Sequence, residues 1–153
     1  MEYSFRTALI SDVPALKRIQ QRLVSYERPF DRGIPRKGKV IYYNIKKLVR
    51  ARNTYFLVAA SKNNIIACAF GQVRKNAAWA VNKTYGHIGL VFVDEKFRRK
   101  GISRCMIGQL VKWFEKKKVR DIRLEVYGKN IPAVKAYREY GFRDFVIQMR
   151  YAG

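Results

Sequence analysis

Residues 91–114 read VFVDEKFRRKGISRCMIGQLVKWF. An apolar run ends at Val93. Arg98, Arg99 and Lys100 then stand directly before Gly101 and a long amphipathic segment. The first turn of a helix leaves backbone N–H groups unpaired and carries positive partial charge. Gly101 and the small Ser103 let an anion approach those amides without a bulky side chain in the way, and the three cations add formal charge beside them. The stretch predicts a phosphate cradle that a diphosphate would fit. It is neither a Walker loop, which needs GxxxxGK[ST], nor a dinucleotide fingerprint, which needs GxGxxG. A basic loop that merely ends in a convenient glycine is the competing reading.

Other reactive side chains are sparse. The chain has one histidine, His87, and two cysteines, Cys68 and Cys105, with no CxxC pair. A structural zinc site needs about four ligands of these types, so no metal is expected. Both cysteines read as small buried hydrophobes. His87 sits in a strand-like run, where a base and a structural histidine are both open.

The elements that must position the cradle follow from periodicity. Residues 3–9 read as a strand, and Ser11 or Asp12 can cap a helix to about Tyr26 with Val13, Leu16, Ile19, Leu23 and Val24 on its apolar side. The Pro- and Gly-rich residues 27–39 form a loop, and a second helix is expected over 40–52 with Ile41, Ile45, Leu48 and Val49 inward. Residues 54–60 and 65–74 read as a hairpin about SKNN, 86–94 as a further strand, and 101–118 as a helix burying Ile102, Cys105, Met106, Leu110, Trp113 and Phe114. A strand over 120–128, a short helix from about Asn130 to Tyr140 ended by Gly141, and a last strand over 142–151 complete the chain. The order β-α-α-β-β-β-α-β-α-β implies an α/β (α+β) fold in one domain spanning residues 1–153, a mixed sheet covered by helices.

The charge is extreme, with 33 basic against 11 acidic residues and a net of +22. Between Asp31 and Asp94 there is no acid, while 12 Lys or Arg fall there. Such a surface attracts polyanions: a nucleic acid, or an anionic cofactor or acceptor. A merely solvated basic surface is equally compatible with it. No stretch approaches the roughly 18 uncharged apolar residues of a membrane span, and the N-terminus lacks a signal pattern, so a cytoplasmic location without membrane contact is expected.

Residues 130–142, NIPAVKAYREYGF, follow the basic turn by about thirty positions. The pattern N-x-x-A-x-x-x-Y-x-x-x-G-F after R-x-x-G-x-[small] resembles the GNAT superfamily of acetyl-CoA-dependent N-acetyltransferases. With the preceding LEV strand it is most similar to the enzymes that acetylate N-terminal residues of ribosomal proteins. The resemblance covers residues 86–145 strongly and 1–85 weakly. It implies a mostly antiparallel mixed sheet of six to seven strands, flanked by about four helices. It further implies that backbone groups of Val91, Phe92 and Val93 receive the pantetheine arm between two splayed strands. Arg98, Arg99, Lys100, Gly101, Ile102, Ser103 and Arg104 would hold the pyrophosphate, and Asn130 would contact the pantetheine side. Tyr137 would protonate the departing thiolate, and Glu125 would accept a proton from the incoming ammonium. Each has a plainer reading: Glu125 paired with Arg123 or Lys129, Tyr137 a core aromatic, Asn130 a helix cap. Many relatives carry glutamate near position 89, where this chain has Gly89, which shifts the weight of base catalysis to Glu125.

The acceptor-side segment ERPFDRGIPRKGKVIYY holds only Glu27 and Asp31 as acids. Polycationic acceptors want several carboxylates. The expected acceptor is therefore an amine that is otherwise neutral or anionic, such as a protein N-terminus, with contact to a ribosome or nucleic acid open and the chain a monomer or homodimer. The alternative is a catalytically silent module of the same fold that binds nucleic acid through its basic surface, with Tyr42, Tyr43, Tyr55 and Trp79 as stacking platforms.

Overall fold

The computed structural model describes residues 2–151. Its elements are β1 (Ser4–Thr7), α1 (Val13–Glu27), α2 (Ile45–Arg50), β2 (Thr54–Ser61), β3 (Asn64–Lys75), β4 (Thr84–Val93), α3 (Ile102–Lys116), β5 (Ile122–Leu124) and α4 (Ile131–Tyr140). The five strands lie in the order β1-β2-β3-β4-β5, antiparallel up to β4 and parallel between β4 and β5. Among the described residues, no helix is long and apolar enough to cross a membrane.

The central strands are apolar on both faces because helices cover both. Phe56, Val58, Cys68, Phe70, Leu90 and Phe92 face α1 and α2, which contribute Val13, Leu16, Ile19, Ile45 and Leu48. Leu57, Ala59, Ala67, Ala69 and Ile88 face α3, which contributes Ile102, Met106, Ile107, Leu110 and Phe114. Tyr137, Tyr140 and Phe142 extend this second layer.

Three expectations need correction. The second helix begins at Ile45, not near residue 40, because the Asn44 side chain accepts from Lys47 N at 3.0 Å and caps it there. Ile41 is consequently exposed and outside the helix. Cys105 is exposed, lying off the stripe that α3 buries, while Cys68 is fully buried. The sheet has five strands rather than six or seven. Residues 142–151 form no strand, and the 120–128 strand is reduced to Ile122–Leu124.

Two features of β4 prepare a site. Phe70 pairs with Gly89 and Cys68 with Phe92, so Leu90 and Val91 together oppose Ala69: a bulge, with Leu90 at φ +51°. β4 also pairs with β5 only at 86–122, 87–123 and 88–124. From Gly89 onward, β4 has no strand partner on its β5 side.

Candidate active site

The segment after β4 enters a short 3-10 turn, Glu95–Phe97, and then runs exposed through Arg98, Arg99 and Lys100. Arg99 has φ +60° and Gly101 has φ +73°, so the chain bends twice through the left-handed region before α3 starts. No side chain caps α3, and its first main-chain bond is Cys105 N to Gly101 O at 3.0 Å. The N–H groups of Ile102, Ser103 and Arg104 therefore have no partner within the helix. A Cβ built on Gly101 meets nothing within 4 Å, so the approach to these amides is open. Ile102 is buried and anchors the turn in the core, leaving only its backbone to the site.

Val91, Phe92 and Val93 lie on the part of β4 that has no strand partner on its β5 side among the described residues. The Phe92 side chain is buried toward α1. The Val93 carbonyl accepts from Arg98 Nε at 3.0 Å, and the Arg98 guanidinium lies 5.1 Å from the Tyr26 ring centre. Tyr26 in turn donates to Asn130 Oδ1 at 3.5 Å, a long bond. Asn130 is buried and caps α4, accepting from Ala133 N at 3.4 Å. Arg98, Tyr26 and Asn130 thus link the basic turn to α1 and to the start of α4.

Tyr137 is half-buried on α4, edge-on to Phe142. Burial, reinforced by the charge of Glu27, pushes its phenol up to about 12. Its hydroxyl makes no hydrogen bond among the described residues and is not sealed from solvent. Glu125 follows the last β4–β5 pair directly and is exposed. It is close enough to Tyr43 for its charge to raise that phenol.

Glu27, one of the two acids of the acceptor-side segment, is a further candidate for the site. It ends α1, half-buried, and burial lifts its carboxyl above the ordinary value. Its charge reaches Tyr42, Tyr43, Tyr127 and Tyr137, four phenols drawn from three segments. The Tyr42 hydroxyl is buried with no partner in hydrogen-bonding geometry. Nothing local in the sequence marks Glu27. Only tertiary folding brings it toward Tyr137, 110 positions away.

The wall carrying Tyr42 and Tyr43 is pinned to α1 by side-chain amides. Gln20 Oε1 accepts from Tyr43 N at 2.8 Å and its Nε2 donates to Tyr43 O at 3.4 Å. Gln21 makes the same pair with Val40, at 3.2 and 2.8 Å. Arg28 donates to Pro35 O and Gly38 O. The Tyr43 hydroxyl falls where a side chain on Gly89 would project: a Cβ there would lie 2.9 Å from it and 2.6 Å from Phe70. The space that a side chain at 89 would need is thus taken by Tyr43 and Phe70.

His87 is buried among Phe70 and Tyr43, and among the described residues its Nε2 has no partner. Burial, helped by Arg74, depresses its imidazole to about 4, so it is neutral near pH 7. Of the aromatics weighed as stacking platforms, Tyr42 and Tyr43 belong to this wall and Tyr55 packs on Trp113. Trp79 is exposed.

Comparison with known proteins bears on the fold and the family. An N-alpha-acetyltransferase of Sulfurisphaera tokodaii is 23% identical over 157 positions, spanning 98% of this chain and 86% of its own length. A mutant of the BH1408 protein from Bacillus halodurans superposes with TM-score 0.85 at 20% identity, over 97% of this chain and 98% of that one. An acetyltransferase of Clostridium acetobutylicum, solved with acetyl-CoA, gives 0.73 at 21% identity, over 98% and 96%. The aminoglycoside acetyltransferase AAC(6')-Iy with a bisubstrate analogue gives 0.72 at 14% identity, over 100% and 99%. The family model for acetyltransferases of the GNAT type matches residues 19–142, most of the chain. The protein belongs to the acetyltransferase (GNAT) family, whose members transfer the acetyl group of acetyl-CoA.

Proposed function

We propose that the chain acetylates a primary amine, a protein N-terminus in the first instance, by direct attack with amine and acetyl-CoA bound together. The observation that carries the reading is the uncapped start of α3 at Gly101 beside the point where β4 and β5 part. The residues present fit acetyl-CoA: open amides and three cations suit a diphosphate, and the unpaired edge of β4 suits an extended amide-bearing arm. When bound, acetyl-CoA supplies a thioester carbonyl activated toward an amine.

The chain's own residues do the rest. The first-turn amides of α3, with Arg98, Arg99, Lys100 and Arg104 around them, hold the diphosphate, and the free edge of Val91–Val93 orients the arm. Asn130 holds the start of α4 against Tyr26 and so fixes Tyr137. An amine attacks only when neutral, and an α-amino group, with an ordinary pKa of about 8, needs only a nearby carboxylate to take its proton. Glu27 fills that role, and Glu125 receives the proton at the solvent side. A phenol at about 12 is a far weaker acid than a thiol at about 8.5. Tyr137 therefore steadies the departing sulfur by donating a hydrogen bond, rather than by giving its proton up outright.

Three acids gather at this cleft, but Asp31 is already paired with Arg150 at 2.6 Å. Glu27 and Glu125 are left, enough for one ammonium and too few for a polycation. The N-alpha-acetyltransferase relative supports a peptide acceptor, whereas the aminoglycoside enzyme among the structural neighbours supports only the fold. Release of free thiol from acetyl-CoA against an N-terminal peptide, spermine and an aminoglycoside tests this. The peptide should be preferred, and a clear preference for spermine overturns the acceptor assignment.

A further inference from the structure

The end of the sheet opposite the basic turn gathers a second group of cations. β2 begins there, β3 ends there and β4 begins there, with Thr54 facing Gln72 and Lys75 facing Thr84. α3 ends beside them, its Phe114 ring lying over Gly71 and Gly86 and its Trp113 ring 5.9 Å from Tyr55. The chain leaving α2 brings Arg50 and Arg52, and Asn53 ties it to Val73 through two bonds of 2.9 and 3.0 Å. The ends of β3 and β4 bring Arg74, Lys75 and Lys83, and the end of α3 brings Lys116, Lys117, Lys118 and Arg120. Among the described residues, none of these cations pairs with a carboxylate. Across 50–53, 74–83 and 115–121 the only acids are Glu115 and Asp121, and Asp121 is taken by Arg123 at 2.6 Å.

A second feature stands at the same end. The loop joining β3 to β4 presents Trp79 with 88% of its surface in water, next to the exposed Val81. The loop is nevertheless held. Asn76 N donates to Lys83 O and Ala80 N to Ala77 O, both at 2.9 Å. The Lys83 ammonium folds back onto the carbonyls of Ala78 and Ala80 at 3.4 and 3.2 Å, and Ala80 is buried as an anchor. A large flat ring is thus fixed in solvent among unpaired cations. This pairing has the two parts that a single-stranded nucleic acid needs, positive charge for its phosphates and a π-face for an unpaired base. An anionic membrane would want a broad apolar face, and Trp79 and Val81 are too few. A folded acidic protein would likewise want an apolar interface core.

We infer that this end of the sheet binds single-stranded nucleic acid, with an unpaired base stacked on Trp79 and the neighbouring phosphates on the cations that end β3 and α3. The ten residues of β4 separate it from the basic turn, a distance of about 30 Å. Nucleic acid docked here therefore leaves the turn and the cleft open. The inference rests on the fold and is independent of the acyl-transfer reading. It also gives part of the net charge of +22 a place and a partner.

Fluorescence anisotropy of a labelled oligouridylate of about 16 nucleotides, titrated with the full chain, tests this. Log Kd should rise with log salt at a slope of about 3, the value for about four contacted phosphates. Trp79→Ala should weaken binding about fivefold or more and leave that slope unchanged. Overall charge alone would also bind a polyanion, so position must be separated from charge. Lys116→Glu with Lys118→Glu should cost at least about tenfold more affinity than Arg18→Glu with Lys62→Glu. The latter is an equal reversal at the β2–β3 end, where Arg18 lies beside Asn63 and Asn64. No binding at about 0.1 M salt overturns the inference. So does a Trp79→Ala variant that binds as the wild type does, or equal losses from the two reversals. Tighter binding to phosphatidylglycerol vesicles than to the oligonucleotide overturns it as well. All the substituted side chains are exposed, and if the lysine pair should still misfold by circular dichroism, Trp79→Ala decides alone.

Discussion

The basic turn and the tyrosine-lined cleft are built by opposite means. The turn is backbone geometry confined to Arg98–Arg104, in which two left-handed residues, an uncapped helix and an anchoring Ile102 leave open amides among exposed cations. The cleft is side-chain chemistry gathered from α1, the segment before α2, and the end of β5. It depends on two glutamines holding a loop in place. The difference teaches where tolerance lies. The turn fails when a charge of the wrong sign or a bulky group enters it. The cleft fails when any of several remote residues lets its parts drift.

Breaking the turn should have the largest effect. Gly101→Glu forces a side chain onto a backbone at φ +73° and sets a carboxylate at the proposed diphosphate site. Acetyl-CoA affinity by calorimetry should fall at least about 100-fold, about 2.7 kcal/mol or more, with the circular dichroism unchanged. A fall under about threefold would remove the turn from cofactor binding.

Breaking the cleft should cost chemistry rather than cofactor affinity. Glu27→Gln is expected to lower kcat/KM for the amine by roughly 10–100-fold, with acetyl-CoA affinity unchanged. It should also shift stability in a defined direction. Burial raises the Glu27 carboxyl, so the folded chain holds its proton more tightly than the unfolded one. Stability at this site therefore falls as pH rises from the ordinary carboxylate range through the raised value. Glutamine removes that cost, and Tm at pH 8 should rise by about 1–3 °C with little change at pH 4. A variant less stable at pH 8 would contradict the burial argument.

Tyr137→Phe is expected to lower kcat by about 10-fold with KM for acetyl-CoA preserved, the loss of one hydrogen bond to developing charge. A KM effect alone would make Tyr137 a packing residue. The smallest expected effect is Arg98→Ala. Arg98 both flanks the diphosphate turn and occupies the Val93 carbonyl, so its removal withdraws a cation while freeing an acceptor. Acetyl-CoA affinity should change about threefold or less, and its dependence on salt should become shallower.

The contrast also explains what could be read from residue order. The turn is contiguous, so charge, glycine and helix periodicity sufficed to place it. The bulge at Leu90 and the parting of β4 from β5 left no such mark, because both are relations between strands. Glu27 was visible as one of two acids in a basic segment, but nothing local could say that it faces Tyr137. The filling of the space beside Gly89 by the Tyr43 hydroxyl is likewise a tertiary relation, since the two positions are 46 apart in the chain. Helix 2 starts later than its pattern suggests because Ile41 stands at helical spacing from Ile45 and Leu48, while Gln21 and Gln20 take up the main-chain groups of Val40 and Tyr43. Residues 142–151 carry a strand's alternation but form no strand, because alternation reports what a segment can bury, not whether a partner edge is offered to it.

The amide clamps on Val40 and Tyr43 carry a consequence for how specificity can change in this scaffold. The loop from 31 to 44 is held at Val40 and Tyr43 by Gln20 and Gln21, so part of its conformation is encoded in α1 rather than in the loop's own residues. Transplanting the loop alone into a relative should carry over its composition without its geometry. Moving the two glutamines with it would transfer a working mould.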